Sequence, residues 1–204
     1  MGSHQKVKYI LGVETSCDDT AIGIIDSSRN IKSNFVINQN NYHKEFGGIV
    51  PEIAARAHLE FIDLTLKKAL KQAKINLEEI DLFSSTAGPG LIGGLIVGTT
   101  FCKTLAWALN KPYVAINHLE GHALTARLIY DIQYPFLLLL VSGGHTQLIA
   151  ILNYGQYKRL STTLDDAVGE TFDKSSKMLG LGFPGGPVIE ELSEKGNEIS
   201  YNFP

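Results

Sequence analysis

Two histidines spaced four residues apart are the feature of the sequence that points most directly to chemistry. His118 and His122 lie in the run Asn117-His118-Leu119-Glu120-Gly121-His122. On a helix, residues four apart share one face, so both imidazoles could bind a single metal ion. Two ordinary surface histidines are an equally common explanation for a lone pair. The apolar run from Tyr113 to Ile116 favours the metal site, because α/β sheets place their ligands beyond the carboxyl ends of strands.

The same spacing argues against a zinc protease. In the His-Glu-x-x-His helix the catalytic glutamate directly follows the first histidine, whereas Glu120 lies two residues after His118 and would turn away from it. Gly121 weakens a helix, so packing or the approach of a ligand would have to account for it. The pattern therefore favours a metal site over peptide-bond hydrolysis.

Two small polar turns follow strand-like runs and could hold a phosphate group. One is Glu14 to Thr20, and the other is Ser142-Gly143-Gly144-His145-Thr146. Backbone N–H groups and hydroxyls at a strand end bind phosphate with little positive charge, and glycines allow a ligand to come close. A plain hairpin turn is the alternative interpretation of the second turn. Within the first turn we select Asp18 for a chemical role.

A glycine-rich run, Gly88 to Gly94, formally matches the G-x-G-x-x-G dinucleotide fingerprint. The next predicted strand ends at Asn117, without the acidic residue that holds a ribose, and no Gly-Lys-Ser/Thr follows. We interpret these glycines as sites of close helix packing, with backbone contact to a ligand as the alternative.

An acidic helix is predicted from about Asp165 to Leu179. It would carry Asp166, Glu170 and Asp173 on neighbouring turns. Because it precedes Pro184-Gly185-Gly186-Pro187, which we predict to be a stiff turn, we interpret this face as a contact to a ribose or a hydroxyl.

Composition places the chain among ordinary globular proteins. Its 204 residues are 44% hydrophobic and 19% charged, with a net charge of −3, so the chain as a whole does not attract nucleic acid electrostatically. Cys17 and Cys102 lack C-x-x-C spacing, which indicates a reducing compartment without disulfides. Because no signal peptide and no run of transmembrane length is present, we predict a cytoplasmic protein without membrane contact. Residues 1–5 read as an expression-tag remnant.

The elements that position these residues form an α/β pattern that occurs twice. Strand, polar turn, strand, strand and helix are predicted from Lys8 to Lys74 and again from Phe136 to Leu179. The helix of the first copy is predicted to open at Pro51 and end near Lys74, and the first strand of the second copy is predicted from Phe136 to Val141. A strand, an apolar helix, a strand and the histidine helix lie between the two copies. Asn38 to Gly48 is predicted to be a loop. We place the first domain at residues 6–134 and the start of a second, incomplete domain at 135–204.

The motifs together resemble one family, the bacterial TsaD family of tRNA N6-adenosine threonylcarbamoyltransferases, once described as O-sialoglycoprotein endopeptidases. The matching segments follow the family order and cover nearly the whole chain as an N-terminal portion: Gly12 to Thr20, Gly47 to Glu52, Thr86 to Leu91, Asn117 to His122, Val141 to Gln147, Gly169 to Lys174, and Phe183 to Pro187.

The resemblance implies an actin/hexokinase/Hsp70-like (ASKHA) α/β fold of two duplicated lobes around a cleft, with the second lobe incomplete. The implied reaction is acyl transfer, which moves a threonylcarbamoyl group from threonylcarbamoyl-AMP to N6 of adenosine 37 in tRNAs reading ANN codons. The implied partners are tRNA, a TsaB-like paralogue, a TsaE-like ATPase and a TsaC-like enzyme that supplies the adenylate. A homodimer is a further arrangement to consider.

The resemblance also assigns site residues. His118 and His122 would be two ligands of one iron or zinc ion, and Asp18 would stand at the reacting end. Threonylcarbamoyl-AMP or ATP would be bound by a second group of residues: Leu140, Val141, Ser142, Gly143, Gly144, Asp173 and Gly186.

The family's later part supplies an aspartate ligand and a nucleotide-binding asparagine, and neither motif is found in this sequence. A non-catalytic binding or dimerisation lobe of the same family is therefore the alternative. An ATPase or sugar kinase of the same fold is less favoured, because phosphoryl transfer requires carboxylates and magnesium rather than imidazoles.

Overall fold

The computed structural model describes residues 7–46 and 48–202. These residues form two compact units, each described separately below. The first comprises the chain up to His43 and from Ile49 to Ile129, and the second comprises the 3₁₀ helix Lys44–Phe46 and the chain from Tyr130 onward. The predicted tag remnant at residues 1–5 lies outside the described residues.

The first unit is built on a five-stranded sheet with the order β3-β2-β1-β4-β5. Its strands are β1 (Tyr9–Glu14), β2 (Asp19–Asp26), β3 (Ile31–Asn38), β4 (Leu82–Gly88) and β5 (Tyr113–Asn117). The first three strands pair antiparallel, whereas β4 pairs parallel with both β1 and β5. The carboxyl ends of β1, β4 and β5 therefore meet at one edge of the sheet, where such sheets place their sites.

Among the described residues, this unit contains four α-helices and a 3₁₀ helix at Leu77–Glu79. The α-helices are α1 (Asn40–His43), α2 (Pro51–Ala73), α3 (Ile92–Ala108) and α4 (His118–Ile129). Pro51 suits the first turn of α2, because its missing N–H would have no partner within the helix. Buried apolar side chains of the sheet pack with those of α2 and α3 in one core, which includes Leu11, Ile22, Ile24, Ile62, Phe83 and Cys102. This core fixes the strands whose ends carry the candidate site.

The second unit repeats the opening pattern of the first. It contains an antiparallel sheet with the order β6-β7-β8, followed by two helices. These elements are β6 (Phe136–Val141), β7 (Thr146–Asn153), β8 (Gln156–Thr162), α5 (Val168–Met178) and α6 (Gly185–Ser193). Three antiparallel strands followed by a helix thus occur in both units, which confirms the predicted α/β duplication. Among the described residues, no helix is long and apolar enough to cross a bilayer.

One predicted loop is wrong. The segment from Asn38 to Gly48 contains α1 and the 3₁₀ helix Lys44–Phe46. The side-chain oxygen of Asn38 accepts the N–H of Asn40 at 2.6 Å, which supplies a local start signal for a short helix that hydrophobic periodicity does not reveal.

Two boundaries in the second unit also differ from the prediction. Helix α5 begins at Val168, so Asp166 precedes the helix, but Asp166 and Glu170 still lie close together because Lys174 Nζ contacts both carboxylates, at 2.6 Å and 3.0 Å. The N–H of Val168 donates to Thr146 Oγ1 at 2.9 Å, a contact with β7 that fixes the later start. The predicted stiff turn at Gly185 to Pro187 is the first turn of α6, a position where helices tolerate proline.

Candidate active site

The two histidines lie at the start of α4, directly after β5. Asn117 caps this helix, since its Oδ1 accepts the N–H groups of Leu119 at 2.9 Å and Glu120 at 3.2 Å. The Nε2 atoms of His118 and His122 lie 3.1 Å apart. Two nitrogens bound to one ion at about 2.1 Å each can be at most about 4.2 Å apart, so this pair fits two ligands of one metal ion.

The described residues offer two ligands rather than a complete set. Within residues 7–46 and 48–202, no group of three or more His, Cys, Asp or Glu side chains could hold a metal ion. Imidazole nitrogens suit zinc and iron better than magnesium or calcium. The residues present therefore fit an iron or zinc ion as part of its coordination sphere.

Glu14 is a site residue that the sequence analysis missed. Its Oε2 accepts a hydrogen bond from His118 Nδ1 at 3.2 Å and another from the Thr86 hydroxyl. Its Oε1 accepts the N–H of Ser16 at 2.5 Å, and Ser16 Oγ lies 3.1 Å from His118 Nδ1. Burial raises the pKa of Glu14, but the bonds from His118, Ser16 and Thr86 outweigh burial and lower it to about 2.

The sequence carried only a partial signal for Glu14, its place at the end of a predicted strand, whereas the strand order that brings it to His118 comes from the structure. Glu14 is the last residue of β1 and His118 directly follows β5, and both strands run parallel to β4. Parallel strands bring their carboxyl ends to one edge, so a polar residue ending β1 was a candidate neighbour of the histidines.

The backbone of the turn that carries Asp18 is held by three separate elements. The N–H of Leu91 donates to the carbonyl of Ser16 at 2.7 Å, and His58 Nε2 lies 3.1 Å from the carbonyl of Cys17. The N–H of Gln39 donates to the carbonyl of Asp18 itself at 3.2 Å. The half-buried Asp18 therefore stands on a fixed backbone, in the same turn as the partners of His118.

His58 joins this turn to a buried polar network. Its Nδ1 lies 2.8 Å from Thr20 Oγ1 and 3.1 Å from Gln39 Nε2, and His58 is fully buried. Burial lowers the pKa of His58 and outweighs the bond to Cys17 and the nearby carboxylates. A neutral imidazole thus supports the turn through the contact of His58 Nε2 with the carbonyl of Cys17.

The glycine-rich run packs against the same turn, as the packing interpretation expects. A Cβ at Gly90 would stand 2.6 Å from Ser16 Cβ, and one at Gly94 would overlap the carbonyl oxygen of Thr15. Gly121 differs, since apart from its chain neighbours and the backbone of its own helix no described atom lies within 4 Å of its Cβ position. Packing within the described chain therefore explains the run at α3 but does not explain Gly121.

The turn after β6 in the second unit is closed by its own hydrogen bonds. The Ser142 hydroxyl oxygen accepts the N–H groups of Gly144 at 3.3 Å and His145 at 3.0 Å. No described atom approaches the Cβ positions of Gly143 and Gly144 within 4 Å, so this side of the turn is open. The hydrogen bonds within the turn agree with the alternative of a plain hairpin turn. The open side of the two glycines also leaves room for a ligand.

The remaining predicted residues surround this turn or lie at the α5–α6 contact. Leu140 is buried and Val141 is exposed. Gly169 packs on Gly143, where an added Cβ would stand 2.8 Å from its backbone. Asp173 Oδ1 accepts the N–H of Gly185 at 2.7 Å, which places Asp173 at the start of α6 beside Gly186.

Comparison with known proteins identifies the family. A sequence model of the family described as "TsaD: tRNA N6-adenosine threonylcarbamoyltransferase" matches residues 30–204, and the chain belongs to this family. A relative of that name from Rickettsia prowazekii (strain Madrid E) is 60% identical over 198 residues, which are 97% of this chain and 51% of the relative. One from Rickettsia rickettsii (strain Sheila Smith) is 58% identical over 195 residues, 96% of this chain and 57% of the relative.

The chain thus spans about half the length of the curated relatives it matches. The repeated strand and helix pattern confirms the predicted duplicated α/β class, and the family match confirms the resemblance to the TsaD family. The printed names of these relatives are those of a transferase. Among solved structures, YeaZ from Pseudomonas aeruginosa is similar with a TM-score of 0.49 and 17% identity over 76% of this chain and 66% of that one. ROK hexokinase from Thermus thermophilus has a TM-score of 0.49 and 16% identity over 93% and 70%.

Proposed function

We propose that this chain supplies the metal-binding and nucleotide-binding parts of an acyltransferase that places a threonylcarbamoyl group on N6 of adenosine 37 in tRNAs reading ANN codons. Threonylcarbamoyl-AMP would be the donor. The observation that carries this proposal is the 3.1 Å approach of His118 Nε2 and His122 Nε2. It occurs in a chain whose family bears the name of this reaction.

The first unit would serve the reacting groups. A divalent ion, iron or zinc, held by His118 and His122 would act as a Lewis acid on the carbamoyl carbonyl. In the transfer, a bond forms between N6 and the carbamoyl carbon, the bond from that carbon to the phosphate oxygen breaks, and AMP leaves. We assign the carboxylate of Asp18 to take the proton that N6 loses. Its fixed backbone supports this role.

The second unit would hold the nucleotide through Leu140, Val141, Ser142, Gly143, Gly144, Asp173 and Gly186. The open sides of Gly143, Gly144 and Gly186 support the assignment. The N–H groups of Gly144 and His145 donate to Ser142 Oγ. A phosphate bound by these two N–H groups would therefore replace the Ser142 hydroxyl as their acceptor. Asp173 would act by holding the start of α6 through the N–H of Gly185.

The partners are proposed on the same basis. The names of the relatives make tRNA the acceptor. The net charge of −3 suggests that a partner or a local patch assists its binding. A TsaB-like paralogue and a TsaE-like ATPase would assist, a TsaC-like enzyme would supply the adenylate, and the setting would be cytoplasmic. We keep residues 6–134 and 135–204 as the proposed lobes, with a homodimer as another arrangement.

A transfer assay tests the proposal. Residues 7–202 would replace the matching half of the Rickettsia prowazekii relative, so that the part of the relative beyond this chain is retained. The chimera, unmodified tRNA, synthetic threonylcarbamoyl-AMP and the bacterial partner proteins are incubated together. The modified nucleoside is measured by mass spectrometry, with the unaltered relative as positive control.

We expect the chimera to form product, and we expect His118→Ala and Asp18→Asn to abolish or strongly reduce it. Asp63→Asn, at an exposed side chain of α2 that pairs with Lys67, should leave the rate unchanged. A folded chimera without product, or a His118→Ala chimera with full activity, would overturn the proposal.

A further inference from the structure

The hydrogen bonds around His118 carry a second inference, which deepens the proposed metal site and depends on it for its function. We propose that Glu14 is a positioning residue that places the imidazole proton of His118 on Nδ1. The Nε2 lone pair of His118 is thereby directed toward His122. His118 is ready to bind a metal ion before the ion arrives, and His122 is the ligand that must change its protonation site.

The carboxylate of Glu14 is surrounded by hydrogen-bond donors. Its carboxylate receives the N–H of Ser16 and the hydroxyl of Thr86 as well as His118 Nδ1. A carboxylate with three donors around it is favoured in its ionised form, and an ionised carboxylate only accepts hydrogen bonds. The contact at 3.2 Å between Glu14 Oε2 and His118 Nδ1 therefore places a proton on Nδ1, and the hydroxyl oxygen of Ser16, 3.1 Å from the same nitrogen, is then a second acceptor.

The contact between the two imidazole rings determines where the proton of His122 lies. A neutral imidazole carries one N–H, so His118 Nε2 is left with its lone pair. The Nε2 atoms of the two histidines are 3.1 Å apart, and a hydrogen bond there needs one proton. That proton must belong to His122 Nε2 in the metal-free protein. Metal binding through His122 Nε2 then requires the proton of His122 to move to its Nδ1, whereas the facing nitrogen of His118 needs no change.

A carboxylate behind a metal-binding histidine has a known physical effect. It fixes the orientation and the protonation site of the ring and increases its basicity as a ligand. Thr86 is on β4 and Ser16 follows β1, so two strands hold Glu14 in place. The position of the Glu14 carboxylate is therefore fixed by residues at this edge of the sheet.

The test is a long-range ¹H–¹⁵N correlation spectrum of the metal-free chain at pH 8, where the protonated nitrogen of each imidazole is identified directly. Signals are assigned by their loss in His118→Gln and His122→Gln. His58 provides an internal reference of opposite type, because the carbonyl of Cys17 only accepts and His58 Nε2 must donate to it.

We expect a proton on Nδ1 of His118 and on Nε2 of His122 and His58. A proton on Nε2 of His118 in the unaltered chain overturns the proposal without any variant. Glu14→Gln, which keeps the size of the side chain but removes its charge, should produce a mixture of the two His118 forms. It should also weaken zinc binding by about 10- to 100-fold in competition with a chromophoric chelator. Glu60→Gln, at an exposed side chain of α2, is the matched control.

An unchanged spectrum and unchanged zinc affinity in Glu14→Gln would also overturn the proposal. This result is distinguishable from failure of the proposed function. The expected spectrum together with an inactive chimera would reject the transfer reaction and keep the role of Glu14. An active chimera together with a proton on Nε2 of His118 would reject the role of Glu14 and keep the transfer reaction.

Discussion

Residues of the turn from Glu14 to Thr20 are fixed from several directions at once. Thr15 Oγ1 donates to the carbonyl of Gly94 at 2.8 Å, and the carbonyls of Ser16, Cys17 and Asp18 each receive a hydrogen bond from outside the turn. A backbone with this many partners resists displacement when a neighbour changes. Steric changes beneath it should therefore cost stability.

Gly94→Ala tests this tight packing. The new methyl group would overlap the backbone carbonyl of Thr15, which cannot rotate away as a flexible side chain could. We expect the free energy of unfolding to fall by about 1–3 kcal/mol, measured by urea denaturation.

Gly121→Ala is the matched control, also within a helix. Apart from its chain neighbours and the backbone of its own helix, no described atom lies within 4 Å of its Cβ position, so alanine should stabilise the chain by about 0.5–1 kcal/mol through its better helix propensity. Equal effects of the two substitutions would show that the turn and α3 are not in the contact described.

Single residues mark the limits of what sequence could predict at the site. The spacing of His118 and His122 predicted a shared helix face, and the structure places their Nε2 atoms 3.1 Å apart. Glu14 was missed, because its contact with His118 joins residues 104 apart in sequence. Such contacts depend on strand order, which local patterns do not specify. The roles of Asp18, Ser142 and Asp173 stay predictions.

The parallel strands β1, β4 and β5 have their carboxyl ends at the histidines and their amino ends at Asp81. At the edge opposite the histidines, Asp81 accepts the N–H groups of Lys8 at 2.8 Å and Tyr9 at 3.2 Å, and Lys111 Nζ lies 3.2 Å from its Oδ1. Asp81 thus joins the amino end of β1 to the segments that precede β4 and β5. Its carboxylate supports the strand register that brings Glu14 close to His118.

Asp81→Asn should reveal this support as a pH-dependent loss of stability. Burial raises the pKa of Asp81, but the N–H groups of Lys8 and Tyr9 and the ammonium of Lys111 outweigh burial and lower it. A lowered pKa stabilises the fold above the unfolded-state pKa of about 3.9 and loses this effect as the pH falls through the folded-state value.

We therefore expect Asp81→Asn to lower the free energy of unfolding at pH 7 by about 1 kcal/mol, because the partly exposed site weakens a charge-assisted bond. The difference from the unaltered chain should shrink below about pH 4. Asp63→Asn, at an exposed pair with Lys67, should change stability by less than about 0.5 kcal/mol. A difference that does not depend on pH would contradict this account of Asp81.

Elements were predicted well where hydrophobic periodicity is strong. The strand from Phe136 to Val141 was predicted with its observed bounds, and the long helix from Pro51 ends within one residue of its prediction. Helix α1 was missed, because its start depends on a side-chain cap at Asn38 rather than on periodicity. The late start of α5 was missed, because it depends on the contact of Val168 with Thr146.

At the scale of the whole molecule, the duplicated pattern links the two units to one family fold. Each unit begins with three antiparallel strands followed by a helix, and the family match extends across residues 30–204. The repeat could be read from the sequence because its turns and periodicity recur in order. Since the chain spans about half of its relatives, the transfer reaction is a proposal about the complete protein.

The most direct test of the account is a cobalt titration of the metal-free chain, followed by visible absorption spectroscopy. The geometry of His118 and His122 predicts one bound ion per chain. Its absorption bands should disappear in His118→Ala and in His122→Ala and remain in His145→Ala, which alters a turn of the second unit. Binding that survives in both of the first two variants, or no specific binding by the unaltered chain, would contradict the central claim that these histidines form a metal site.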